Sequence, residues 1–336
     1  METNLVKKQW NCRIALAGLS LISLSAFAQD VESLENGAAK PAPQESAADN
    51  SARLPISATL GVSEQFNTDV DRAGDFSITR VKLGVGVPVR LNEQLILTTT
   101  LRYEFDSYNF DKVFPWIPMD WDHINTLSAG SILQWRVNDD WICYAGGFLK
   151  ASAEAGVGLN RGLTGGGLAG FSYKLNDELS LGAGLAVASQ IEEDTSVLPL
   201  VTAKWKFADD WRLDVGLTDV ATFGYGAELK WIFNKEWDFG LGGQYHQSRF
   251  RIVGYQAYVT VPFRIHRRTI DGVGQEEATT IYLSAAWHAS PKVDFNGFFG
   301  VAVGGKLRVD NKGGNEIDAT DYDPAAILGV GATLRF

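Results

Sequence analysis

The run Val81-Lys82-Leu83-Gly84-Val85-Gly86-Val87-Pro88-Val89-Arg90-Leu91 places an apolar side chain at every odd position, with Lys, Gly, Pro or Arg between. A period of two sends successive side chains to opposite sides of an extended chain, so this stretch is a strand with a single apolar face. Leu95, Leu97, Thr99, Leu101, Tyr103 and Phe105 continue the pattern after a short polar break. Leu179, Leu181, Ala183, Leu185 and Val187 repeat it further along. From Leu54 to the last residue, period two dominates.

A soluble sandwich alternates in the same way, and the strand ends separate the two cases. Trp135 and Trp141 flank Asn138-Asp139-Asp140, and Tyr173 precedes Asn176-Asp177-Glu178. Trp205, Phe207 and Trp211 bracket Asp209-Asp210. Trp231, Phe233 and Trp237 bracket Asn234-Lys235-Glu236, and Trp287 leads into Ser290-Pro291-Lys292. All share the parity of the apolar face. Indole and phenol rings favour the headgroup level of a bilayer, so aromatics lined up beside tight polar turns predict a periplasmic girdle. A soluble core would bury its Trp side chains in mid-strand.

Strands are predicted near 55–66, 76–91, 94–105, 124–137, 141–151, 163–175, 179–190, 197–207, 211–218, 222–233, 237–251, 279–289, 293–304 and 325–336. The tight turns fall on one side. Longer connections are expected on the other, at 106–123, 152–162, 191–196, 252–278 and 305–324, the arrangement of bacterial outer-membrane barrels. The expected fold is an all-β, transmembrane, antiparallel up-and-down β-barrel of about 14 strands, spanning 54–336. Twelve or sixteen strands are the alternatives, because 217–223 is very tight and 253–263 keeps alternating past the expected membrane exit, as a longer strand or an extra hairpin.

The N-terminus fixes the compartment. Lys7, Lys8 and Arg13 precede an apolar run from Ile14 to Leu24, and Ala26-Phe27-Ala28 supplies small residues two apart. That order predicts a signal peptide over 1–28; its apolar run of about 11 residues is too short for a span needing roughly 20. Residues 29–53 are rich in Ala, Glu, Ser, Pro and Asp, which predicts a flexible periplasmic leader. After cleavage only Cys143 remains, so no internal disulfide forms.

At the other end Leu328, Val330, Ala332, Leu334 and Phe336 alternate to a terminal aromatic carboxylate. This resembles the assembly signal read by the barrel-insertion machinery, with Phe336 at its tip. The whole region 54–336 resembles outer-membrane porin-like barrels. Within them it looks most like a poorly characterised family of exported bacterial barrels. In that family Gly-Val-Gly-x-Glu (Gly272, Val273, Gly274, Glu276) opens a late strand and Gly-Gly-x-Leu-Arg (Gly304 to Arg308) closes the next. Asp-Tyr-Asp-Pro (Asp321 to Pro324) opens the last. The resemblance implies fold and location and carries no reaction. More distantly the chain is similar to fourteen-stranded hydrophobic-compound transporters of the fatty-acid uptake type, without their long apolar N-terminal hatch.

The chain carries 30 Lys and Arg against 40 Asp and Glu; removing Lys7, Lys8, Arg13 and Glu2 leaves 27 against 39, a net −12. That balance argues against nucleic acid as a partner. The expected partners are outer-membrane lipid, lipopolysaccharide and the insertion machinery. No zinc spacing, phosphate loop or nucleophile elbow occurs, so no cofactor, metal or enzymatic activity is expected. His246 and His288 share the inward parity but are predicted at opposite ends of the barrel. Other inward residues include Arg80, Lys82, Arg102, Glu104, Arg136, Lys150, Lys174, Lys204, Lys206, Arg212, Asp214, Glu228, Lys230 and Asp238, a basic excess. Inward glycines such as Gly182, Gly184, Gly240 and Gly242 either leave room in the lumen or let strands curve.

The external loops read as acidic, with Asp106, Asp111, Asp120 and Asp122, then Glu192 to Asp194, then Asp310 to Asp323. Solvated charge is the simplest account, and sharing of divalent cations with lipopolysaccharide is the alternative. His266-Arg267-Arg268 is expected in the longest loop, as a constriction or a lipopolysaccharide contact. The functional expectation is a passive, porin-like channel for small hydrophilic solutes with a mild anion preference. A closed structural or surface-interaction barrel is the alternative. Apolar-compound transport comes third, because the inward face reads as too charged.

Overall fold

The computed structural model describes residues 54–71, 74–111, 121–218, 224–261 and 264–336, and for 254–270 the backbone alone. The expected signal peptide and leader, and the side chains of His266-Arg267-Arg268, lie outside the described residues.

Fifteen strands follow one another: β1 (Ser57–Val70), β2 (Gly74–Arg90), β3 (Leu95–Asp111), β4 (His123–Arg136), β5 (Trp141–Glu154), β6 (Leu163–Lys174), β7 (Leu179–Gln190), β8 (Glu193–Ala208), β9 (Trp211–Thr218), β10 (Gly224–Ile232), β11 (Trp237–Val261), β12 (Arg264–Ser290), β13 (Val293–Asn311), β14 (Glu316–Tyr322) and β15 (Ala325–Arg335). Each strand from β2 to β13 pairs antiparallel with its predecessor. β15 pairs with β13 on one side and with β1 on the other, from Ser57↔Arg335 to Gln65↔Ile327. β14 stands apart from that ring, packed on the outer part of β13 and meeting β1 at Val70↔Tyr322. The ring is therefore a closed barrel of 14 strands. Closure leaves no open edge, the condition for a sheet to cross lipid.

The periplasmic turns have a common local cause. Asn92, Asn138, Asn176 and Asn234 each turn their side-chain Oδ1 back to accept from the backbone N–H groups two and three residues on, at 2.8 to 3.0 Å. An Asn that satisfies its own turn in this way reverses the chain in very few residues. Both ends of the barrel close at this rim, where Ile56 and Phe336 exchange backbone hydrogen bonds. The apolar parity faces outward, with Leu83, Val85, Leu101, Leu149, Leu185, Val201, Leu283 and Val330 all exposed. Such a band is stable only against hydrocarbon. At its edge nearest the tight turns Trp135, Trp141, Trp205, Trp211, Trp231, Trp237 and Trp287 are half exposed, with Trp237 stacked on Trp287 and Trp211 on Trp231.

Three expectations need correction. The connection 252–278 is paired strand: β11 and β12 stay in register from Trp237↔Trp287 out to Val261↔Arg264, with one irregularity between Ile252 and Tyr255. At 25 and 27 residues they far exceed the roughly ten a barrel strand needs to cross lipid, so the ladder continues past the membrane. Likewise 305–324 holds the end of β13 and all of β14. β14 escaped detection because its buried side carries Thr320 and Tyr322, so it shows no apolar alternation. The segments read as strand openers and closers, Gly272 to Glu276 and Gly304 to Arg308, lie inside β12 and β13.

Candidate functional site: the lumen and its outer mouth

The expected lumen residues divide by depth. Arg102, Glu104, Lys150, Lys204, Arg212, Lys230 and His246 lie on the inward face, partly or fully buried. Arg136, the last residue of β4, is exposed at the periplasmic rim. The cations have acidic neighbours. Lys82 is 4.0 Å from Glu104, Arg212 is 3.0 Å from Asp214, and Lys230 is 3.3 Å from Asp214 and 3.4 Å from Glu228. Lys204 faces Asp214 across the β8–β9 ladder. This pairing cancels much of the basic excess that parity alone predicts.

The outer half of the lumen is apolar and filled. Phe76 and Ile78 of β2, Tyr108 of β3, Trp121 and Ile124 at the start of β4, Phe250 and Ile252 of β11, and Leu307 and Val309 of β13 form one buried cluster. It bridges the barrel. Tyr108 and Phe250 are six strands apart by the shorter way round, yet their rings lie 5.9 Å apart; Trp121 reaches Phe250 at 5.4 Å. Beneath it Arg80 donates from Nη2 to both carboxylate oxygens of Glu276 at 2.7 Å, Tyr108 donates to the same carboxylate at 2.8 Å, and Asp106 stands 3.9 Å from Arg80. Sequence reasoning missed this plug because it looked for apolar residues on the outward parity. Phe76, Ile78 and Tyr108, all on the inward parity, were the available signal.

At the mouth β11 leans across the barrel. Arg251 pairs with Ala153 of β5, and the N–H of Val253 donates to Glu154 at 2.6 Å. The two-residue turn Ile191-Glu192 between β7 and β8 folds in to meet it. Arg249 Nε donates to Ile191 O at 2.9 Å, Arg251 Nη2 to Glu192 at 2.6 Å, and Glu193 lies 3.4 Å from Arg249 and 3.3 Å from Arg308. Asp310, fully buried, holds Arg249 at 2.7 Å and Arg308 at 2.6 Å. Asp106, on the inward parity of β3, and Glu192, Glu193 and Asp310 are thus engaged in ion pairs rather than solvated in external loops; Asp310 shares with Arg249, Arg251 and Arg308 the face of β11–β13 opposite Phe250 and Ile252, which the leaning of β11 turns toward the β7–β8 hairpin.

Two of the inward-facing glycines seat tyrosine rings. A Cβ on Gly242 would come within 2.4 Å of the Tyr282 ring, and on Gly305 within 2.0 Å of the Tyr322 ring; each glycine is the direct cross-strand partner of that tyrosine. A side chain opposite Gly lies flat along the wall instead of standing into the lumen. Among the described residues the lumen keeps a cavity of about 60 Å³ beside Thr59, Ser63, Lys82, Asn296 and Phe298. His288, at the periplasmic end, has Asp294 at 2.8 Å and Asp238 at 3.1 Å on its two ring nitrogens, while Arg335 also binds Asp294. With both nitrogens occupied, His288 ties four strands at the rim and is not placed as a general base.

A closed 14-strand barrel with a lipid-facing apolar band and a one-sided aromatic girdle is an outer-membrane β-barrel. Solved structures with the same kind of barrel include an outer membrane channel from Pseudomonas putida F1 (13% identity, covering 88% of this chain and 99% of that one, TM-score 0.46). A Pseudomonas aeruginosa FadL homologue matches at 10% identity over 84% and 90%, with TM-score 0.47, and the KdgM porin at 8% over 83% and 99%, with TM-score 0.33. No protein-family model matches the sequence, and no curated protein does. The narrower resemblance to one exported-barrel family stays an expectation of the sequence.

Proposed function

We propose that this protein is a gated outer-membrane channel for small solutes, closed at its outer end in the conformation described. The observation that carries the reading is the packing of Tyr108, Trp121 and Phe250 across the lumen from opposite walls. A freely open porin has water at that level. A purely structural barrel has no use for a plug that sits only in the outer half, above an inner half lined by charged side chains. In this reading the insertion machinery reads the strand ending in Phe336, and the apolar band meets outer-membrane lipid and lipopolysaccharide.

Planar-bilayer conductance tests the proposal. Wild type should insert and conduct only in rare, brief openings, while Trp121→Ala with Phe250→Ala should give sustained stepwise current. Large steady current from wild type, or a double variant as silent as wild type, refutes the gate. A mild anion preference is the finer part of the reading, supported by inward Arg102, Lys150, Lys204 and Lys230. Because Asp214 and Glu228 stand beside Lys230, the preference should be small, and changing Arg102, Lys204 and Lys230 to Gln in the opened variant should move the reversal potential toward cations. Passage of apolar solutes is a second reading, favoured by the aromatic outer lumen. Saturable quenching of Trp121 fluorescence by a brominated aromatic solute, lost in Phe250→Ala, would support it.

A further inference from the structure

The mouth joins three arginines from two strands to Glu192 of the β7–β8 turn and Glu193 at the start of β8. Arg249 and Arg251 are buried, at 2% and 7% exposure, whereas Glu192 and Glu193 keep about 30% of their side chains open to solvent. The arginines belong to β11 and β13 and the glutamates to the end of the β7–β8 hairpin. Without the turn, the carboxylates left to these arginines would be Asp310 and the more exposed Glu316, 3.5 Å from Arg308, with Gln275 accepting from Arg249 at 2.8 Å and the Arg161 carbonyl from Arg251 at 3.2 Å. That is a cationic pocket in a dry setting, where guanidinium groups bind carboxylates in pairs and with fixed geometry.

Two further observations mark the turn as an occupant rather than a fixture. Glu192 holds φ at 56°, the left-handed region that residues with a Cβ adopt at a cost of roughly 1–2 kcal/mol. And Nη1 of Arg251, buried at the same place, has no hydrogen-bond acceptor among the described residues. The turn satisfies this pocket incompletely.

We propose that Arg249, Arg251 and Arg308 form a receptor for a solute carrying two carboxylates, and that Glu192 and Glu193 occupy it from within while the barrel is closed. Such a solute binds where the two glutamates bind, adds an acceptor for Arg251 Nη1, and frees the β7–β8 turn to leave the mouth. The inference rests on the gated-channel reading only for its consequence; the binding itself does not.

Isothermal titration of the refolded mature barrel with succinate is the test, with inorganic phosphate and glucose as the other arms. Wild type should bind succinate weakly, because the turn competes. Glu192→Gln with Glu193→Gln removes the internal carboxylates at constant shape and should tighten binding at least about tenfold, as when a competing state is abolished. Arg251→Gln should abolish it in either background. Should the double glutamine variant not refold, wild type against Arg251→Gln decides alone. No succinate binding, binding indifferent to Arg251→Gln, or phosphate bound as tightly as succinate overturns the assignment. If succinate binds yet wild-type current does not rise with it, the gate fails and the receptor stands. If Trp121→Ala with Phe250→Ala conducts while succinate never binds, the channel stands and the receptor fails.

Discussion

Replacing Glu276 with Ala tests the interior of this barrel most directly. Glu276 and Arg80 are each 1% exposed, joined by two 2.7 Å hydrogen bonds, with the Tyr108 hydroxyl donating to the same carboxylate at 2.8 Å. The substitution leaves a guanidinium in the interior without its main counter-charge. Removing one partner of a buried pair costs about 3–5 kcal/mol. We expect a loss of about 3 kcal/mol, at the lower end because Asp106 limits the uncompensated charge. Equilibrium unfolding in guanidinium from lipid vesicles, followed by Trp fluorescence, measures it. The combined change Arg80→Met with Glu276→Met leaves neither charge behind and should return to within about 1 kcal/mol of wild type. A Glu276→Ala protein within 1 kcal/mol of wild type, or a double variant no better than the single one, would show that the pair does not carry the plug.

Gly305→Val should displace the Tyr322 ring from its seat and loosen the same cluster, at about 1–3 kcal/mol for an overpacked interior, read as earlier loss of the fast-migrating folded form on a heated gel. Deleting Phe336 removes both its outward aromatic side chain and the backbone bonds it exchanges with Ile56, so outer-membrane levels should fall while export continues. Undiminished levels of the shortened chain would remove the assembly role.

The strands were legible because lipid imposes one requirement on every outward position within the membrane, and Leu83, Val85, Leu283 and Val330 all answer to it. The lumen was not, because inward positions obey no common rule. Arg80 and Glu276 stand 196 residues apart, and only the register carried round β1, β15 and β13 brings them together. No local window contains that information. The family-like segments illustrate the same limit. As strand boundaries the first two were misplaced, while the third does lead into β15, yet the fold gathers all three: Glu276 from the first accepts from Arg80, Gly305 from the second seats the ring of Tyr322, and Tyr322 itself comes from the third. Arg308, closing the second segment, reaches Asp310 and Glu193 at the mouth.

Charge was misleading for a related physical reason. An acidic stretch such as Glu192-Glu193-Asp194 reads as solvated when the strands are assumed to stop at the membrane surface. Once β11, β12 and β13 continue outward and β11 leans across the barrel, the face opposite Phe250 and Ile252 turns onto the β7–β8 hairpin, and Arg249, Arg251 and Arg308 on that face find partners in that stretch. The overall net charge says nothing about this. In a barrel that projects beyond the bilayer, a buried arginine demands a carboxylate wherever the chain can supply one, and here Asp310 supplies the nearest to Arg249 and Arg308, while the end of the β7–β8 hairpin supplies Glu192 and Glu193, the pair that a solute would replace.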